Sequence, residues 1–475
     1  MGSISKSFSL LLIVLLAVSS LTVIFATIPF GLAQSGTNVS GIIRSNTTWT
    51  EAKSPYDFTG PVTVNKGVTL IIESGVTVNI NEFYLQVNGT IKAQGTNDKN
   101  IIIVSGFHAS SRPDFASYNI ALSDDSSDCV FENTVFSSTA YSGVLMIIDK
   151  SVMINNDTFN RAQISILNSA TISNSNIMGG IEVTDCSAVI SNNTINSGFV
   201  GTGISLYSNS EALISNNTII GDSSLTNEDG ILLNEGTNAV IFNNYISNYS
   251  EACIDVNTGS PLIGSPIIER NIIADNVTRS QYEFGFGIEV NGANPLIENN
   301  TFTSNFIGLD SYNYIEIGTN FVRADAKPIV MNNNFYGNNF NIYLGYPNGL
   351  DFMSSSTATA SDVNATNNYW GTVDTQTINQ TIYDSKNNFN LGTVTFVPFL
   401  TSPNPEAMPN PNAPIPTLNP TAPTPTPSTL TVPEFPSIMI SIIVVLLVGI
   451  IFLLIYMRKR KTINSSHQPI FNGGV

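Results

Sequence analysis

Between Val62 and Leu400 the chain alternates apolar and polar residues at period two, over runs of only four to six residues. Ala188-Val189-Ile190-Ser191-Asn192-Asn193-Thr194-Ile195 recurs as Ala212-Leu213-Ile214-Ser215-Asn216-Asn217-Thr218-Ile219. It returns as Ala239-Val240-Ile241-Phe242-Asn243-Asn244-Tyr245-Ile246 and as Pro295-Leu296-Ile297-Glu298-Asn299-Asn300-Thr301-Phe302. Weaker copies place Asn133, Asn156, Asn174, Asn332 and Asn367 at the first Asn position, and Arg270 fills it once. After each Asn pair comes a short run, a Gly-containing turn and a third run such as Gly230-Ile231-Leu232-Leu233. Period two predicts strands, and no unit holds an amphipathic stretch long enough for a helix. Three short strands per unit, stacked parallel on the next unit, bury one aliphatic core and pair every backbone group. Such crossovers wind right-handed. The reading is all-β: a right-handed parallel solenoid whose later coils carry longer loops.

Longer apolar runs occur at the two ends. Lys6 precedes one from Phe8 to Leu32, followed by small residues, and this predicts a signal peptide over 1–33 with an uncleaved anchor as the alternative. Residues 438–457 are aliphatic enough for one transmembrane helix, and Arg458-Lys459-Arg460-Lys461 opens a cytoplasmic tail over 458–475. Between solenoid and helix, residues 401–436 hold 12 prolines and read as an extended linker. Residues 34–61 remain as an entry or cap segment, and 62–400 as the solenoid.

The repeat resembles the right-handed parallel β-helix superfamily. Thr47-Thr48-Trp49-Thr50 with Gly67 to Val76 is similar to the entry coils of surface proteins of that superfamily. Asn367-Asn368-Tyr369-Trp370-Gly371, Ile382-Tyr383-Asp384 and Val394 to Phe399 resemble their closing module, which starts at about residue 362. Trp49 and Trp370 are the two tryptophans and plug the two ends in this reading. Val432-Pro433-Glu434-Phe435-Pro436-Ser437, with the apolar span and basic stop, resembles the C-terminal anchoring signal of archaeal surface proteins. That resemblance implies either a lipid anchor after cleavage or a permanent membrane helix.

The nine asparagines of the column (Asn133, Asn156, Asn174, Asn192, Asn216, Asn243, Asn299, Asn332 and Asn367) are expected to form an inward amide ladder. Arg270 cannot join it and should point outward or meet a carboxylate. Sequons at Asn156, Asn192, Asn216 and Asn299 should then stay bare, while Asn248 and Asn276 accept sugar.

Charge narrows the partners. All 35 acids lie between Gln34 and Pro436 with only 13 basic residues, which excludes nucleic acid. Three cysteines rule out a disulfide framework, and two histidines rule out a His-based metal cluster. No cofactor is expected beyond weak calcium binding. The superfamily includes polysaccharide lyases, hydrolases and epimerases, so chemistry is sought on one outward column of the third runs. That column reads Glu182, Ser205, Leu232, Asp255, Glu289, Gly308 and Tyr343. Asp255 and Glu289 are its one pair of neighbouring acids, with Arg279 and Glu283 in the loop between. The bland alternative is a solvated acidic face. Tyr207, Tyr312, Tyr314, Tyr343 and Tyr346 are candidates for stacking on sugars. The expectation is a membrane-anchored cell-surface protein that meets envelope glycans or surface proteins as a structural, adhesive or glycan-binding component. A tethered carbohydrate-active enzyme is the alternative.

Overall fold

The computed structural model describes residues 36–416, apart from 107–117, 148–151, 199–200, 223, 226–227, 235, 258–263, 278–283, 318–320 and 348–358. Of 139–146 and 314–323 the backbone alone is described where strand is assigned. Signal-like residues 1–33, most of the Pro-rich linker, the apolar span 438–457 and the basic tail lie outside the described residues. Among those described, no helix is long and apolar enough to cross a membrane.

Each repeat is one coil. Ser187–Ser191 joins a 14-stranded sheet, Thr194–Asn196 and Ile204–Tyr207 join a 23-stranded one, and the next coil repeats the order. Pairing is parallel and in register: Ser187 opposes Glu211, Thr194 opposes Thr218, and Ile204 opposes Ile231. The alternation puts Ile190, Ile214, Ile241, Ile268 and Ile297 in one inward column, all fully buried. Each such side chain contributes about 1.5–3 kcal/mol by leaving water. Coiling begins earlier than the hydrophobic pattern implied. Thr37–Ile43 already pairs with Tyr56–Val64, so the segment ahead of Val62 is coiled, which is the entry form of the two alternatives. Trp49 stacks on Tyr56 at 4.8 Å, and Trp370 on Phe335 at 5.1 Å, closing the core at both ends.

The asparagine column is the fold's sharpest correction. Every first Asn, and Arg270, adopts the left-handed backbone with φ between 51° and 60°. That conformation turns the corner and sends the side chain outward: Asn156, Asn174, Asn192, Asn216 and Asn367 are exposed. The buried ladder belongs to the following residue, where the chain has returned to strand geometry. It runs through Asn193, Asn217, Asn244, Asn271, Asn300, Asn333 and Asn368. Asn244 is representative. Its Nδ2 donates to Asn271 Oδ1 at 3.0 Å and to the Ile214 carbonyl at 2.9 Å, while its Oδ1 accepts from the backbone and side-chain nitrogens of Asn217. A second ladder, Asn276, Asn305 and Asn338, lines the next corner. Asn276 is therefore fully buried and closed to sugar, against the sequence expectation.

Arg270 meets carboxylates as expected, Glu269 at 3.2 Å and Glu406 at 2.7 Å. The second contact exposes another difference: the linker does not leave the solenoid at Thr401. Asn404 bonds Asn334 and Asn299, Ala407 accepts from Thr301 Oγ1, and Asn410 exchanges bonds with Asn243. Proline denies this segment a sheet ladder, so the corner asparagines supply its partners instead.

Lower in the ladder column stands Asp157, between Thr134 and Ser175. Its Oδ1 accepts from Thr134, while the buried Oδ2 has no partner, and burial pushes its pKa up to about 8. A group raised this far stabilises the fold fully below its unfolded pKa and loses that contribution as pH rises through about 8. Asp157→Asn restores an amide to the column. Thermal denaturation at pH 9 should show it more stable than wild type by about 1–3 kcal/mol, with the advantage shrinking at pH 5.

Candidate functional site

The third-run strands place one outward side chain per coil in a single column. Register fixes it as Glu182, Ser205, Leu232, Asp255, Glu289, Asp310, Tyr343 and Tyr383. The sequence expectation holds through Glu289 and at Tyr343, but Asp310, not Gly308, stands between them. The strands here, Ala252–Asn257, Phe286–Asn291 and Ile307–Tyr312, are six residues long and begin before the apolar run proper. Counting from the first aliphatic of Ile307–Tyr312 shifts the column by two. The better signal is an acid following an inward aliphatic, as in Ile254-Asp255, Ile288-Glu289 and Leu309-Asp310.

Three carboxyl groups thus rise on three successive coils, with backbones about 4.8 Å apart. They are not a solvated face. Asp255 is 8% exposed, Glu289 5% and Asp310 0%. Ala252, Phe284, Phe286 and Ile307 form an apolar wall, with Phe306, Phe340, Tyr343 and Tyr346 packed against it. The Tyr312 hydroxyl donates to Glu289 Oε1. Glu289 Oε2, Asp255 Oδ1 and both oxygens of Asp310 have no hydrogen-bond partner. Such groups cost about 1–3 kcal/mol each, more when charged.

Electrostatics follow from this packing. Burial, and then the like charge of Glu251, pushes Glu289 up to about 8, while the Tyr312 hydrogen bond pulls the other way. Burial and then Glu289 hold Asp310 well above the usual carboxylate range, and the same two causes act on Asp255. Asp229 is also raised, by burial and then Glu251, although its Oδ1 accepts from the Ala252 N–H at 3.1 Å. Burial thus favours the protonated form throughout the stack. With Oε1 of Glu289 accepting from Tyr312, Oε2 is the oxygen left without a partner.

Among the predicted tyrosines, Tyr312, Tyr343 and Tyr346 converge here. Tyr312 and Tyr346 rings meet edge-on at 5.5 Å, and Tyr343 stacks on Tyr383 at 4.2 Å. Tyr207 occupies a different column, beside Thr184, on an earlier coil. Tyr314 opens an antiparallel hairpin with Phe321–Ala324, and its side chain lies outside the described set. Arg279 and Glu283 are outside the described residues. Asp125 pairs with Lys66, and Asp128 turns a corner in left-handed geometry. Cys129 and Cys253 are buried, Cys186 half-buried, and all three are free thiols. Among the described residues no group of three His, Cys, Asp or Glu side chains is arranged to hold a metal ion.

Residues 162–322 match the family model for a right-handed β-helix region. Over that stretch the coil is similar to right-handed β-helix regions, and the parallel pairing carries the same coil to both sides of it. Solved structures are similar to the solenoid at low identity and low TM-score. A periplasmic alginate epimerase double mutant is 11% identical with a TM-score of 0.42, covering 72% of this chain and 77% of its own. An alginate lyase from Paenibacillus sp. str. FPU-7 is 18% identical with a TM-score of 0.25, covering 59% and 92%. Pectate lyase Pel9A is 14% identical with a TM-score of 0.27, covering 62% and 74%. No curated protein sequence matches the chain.

Relief of the buried stack gives a direct expectation. Asp310→Asn removes a carboxyl with no partner, so it should raise the melting temperature at pH 8 by a few degrees, for a gain of about 1–3 kcal/mol. Wild-type stability should fall as pH rises through about 8, because Glu289 binds its proton more tightly folded than unfolded. Calorimetry across pH 5–9 reads both effects.

Proposed function

We propose that this β-helix is a carbohydrate-active protein that hydrolyses a glycosidic bond at the Asp255–Glu289–Asp310 stack. The observation that carries the reading is a buried Glu289, raised to about 8, between two further carboxyls on neighbouring coils. Glycoside hydrolysis needs one carboxylic acid that still holds its proton at working pH and a second carboxylate beside it. Glu289 Oε2 supplies the proton to the leaving oxygen. Asp255, the most exposed of the three, is the partner that ionises once a sugar and water enter. Neighbouring coils give a separation near the ~5 Å of retaining enzymes. The Tyr343–Tyr383 pair continues the same column and offers a stacking surface for the adjoining sugar.

The apolar runs at both ends support display at the cell surface, with the solenoid outside and the segment 438–457 in the membrane. Envelope glycans are the substrate class such a location brings within reach. A binding-only reading is favoured by one fact, the complete closure of Asp310. Product chemistry separates the two. The purified protein, incubated with neutral and acidic polysaccharides, should release new reducing ends without forming unsaturated sugars. Unsaturated products would show elimination instead of hydrolysis. Retention of a glycan with no bond broken in any of them would leave the binding-only reading standing.

A further inference from the structure

We infer that the exposed corner asparagines Asn192 and Asn216 are attachment sites for N-linked glycans. This goes beyond the proposed hydrolysis and stands on a different edge of the coil. Each heads an Asn-x-Thr sequon, Asn192-Asn193-Thr194 and Asn216-Asn217-Thr218. Both sit in the left-handed corner, φ 58° and 56°, and both are exposed. The structural work of the motif is done by the next residue: Asn193 and Asn217 carry the buried ladder. That division of labour frees the first Asn to take a modification without disturbing the core.

The chain contains its own controls. Asn276 also heads a sequon, yet it is fully buried and its Nδ2 donates to the Phe286 carbonyl. Asn299 heads another, but Asn404 bonds its Oδ1 and its sequon hydroxyl, Thr301 Oγ1, is buried against Ala407. A sugar there would displace the docked 404–410 segment. The sequence expectation keeps Asn192, Asn216 and Asn299 bare and opens Asn276; the fold reverses it at Asn192, Asn216 and Asn276 and keeps it at Asn299.

The reaction transfers an oligosaccharide from a polyisoprenyl phosphate-type donor. The side-chain nitrogen of Asn bonds to the sugar's anomeric carbon and gives up one proton. The bond from that carbon to the phosphate oxygen breaks, and the lipid phosphate leaves with the electron pair. Asn192 and Asn216 stand one coil apart, about 4.8 Å, so sugar on either member of the pair satisfies the proposal.

The full chain should be expressed with its own leader in a secretory host that performs N-glycosylation, and its glycopeptides mapped by mass spectrometry. Sugar is expected on Asn192 or Asn216, with Asn276 and Asn299 bare. The double variant Thr194→Val, Thr218→Val, which removes the sequon hydroxyls but keeps β-branched residues in the strands and leaves the corners untouched, should lose the corresponding mass yet melt as wild type after deglycosylation. Both corner residues bare, or sugar on Asn276 in folded protein, overturns the proposal.

Discussion

Replacing Glu289 by Gln should lower the rate of glycan cleavage by about 10²–10⁴-fold while leaving the protein folded. Gln keeps the shape and still accepts from Tyr312, but it has no acidic proton to give the leaving group. Because the loss falls on bond breaking, KM should change little while kcat collapses. The fold should tolerate the change well. Glu289 Oε2 is buried without a partner, so the neutral amide removes a strained group instead of a stabilising one. A variant that is inactive but more stable at pH 8 is the signature of a site held at the expense of stability. Equal activity in wild type and Glu289→Gln, measured by reducing ends, would falsify the assignment of Glu289 as the acid.

Asn244→Ala should be among the most damaging single changes in the solenoid, costing about 3–5 kcal/mol. It strips four hydrogen bonds at once and strands the Ile214 carbonyl and the Asn217 backbone N–H in the core. The corner change one coil back, at the exposed Asn216→Ala, should cost about 1–2 kcal/mol, the strain of an alanine in a left-handed corner. The two asparagines of the motif thus differ because one turns the chain and the other holds the coils together. Urea denaturation of the two variants side by side reads the difference. Comparable losses in both would contradict the inward assignment of the second residue.

The parallel coils were legible because period-two runs and the Asn pair recur at every turn. Which Asn faces inward was not, since a one-residue shift at a left-handed corner reverses side-chain direction without changing the spacing of the column. The same limit explains the sequons. The Asn276 ladder was legible in principle, because Asn276, Asn305 and Asn338 recur at the coil spacing, but that second column lies among turn residues that usually signal loops. In the site, the outward column of third runs sets Asp255 beside Glu289, and the register agrees, with Ile254 opposite Ile288. Asp310 escapes that column because Ile307–Tyr312 starts two residues ahead of Leu309, the residue that opposes Ile288. Burial of the three acids had no local signal at all. It arises from aromatic side chains, Phe284, Phe306 and Tyr346, brought in by turns between strands.

The pH dependence of kcat/KM, in wild type and in Tyr312→Phe, tests the central claim most directly. If Glu289 is the acid, activity should fall at alkaline pH with an apparent pKa near 8. Tyr312 donates to Glu289 and favours its ionised form, so removing that hydroxyl must push the pKa of Glu289 further up. The alkaline limb should therefore move to higher pH in Tyr312→Phe, while the limb reporting the ionised partner stays in place. An alkaline limb that is absent, or that does not move when the Tyr312 hydroxyl is gone, would contradict the account.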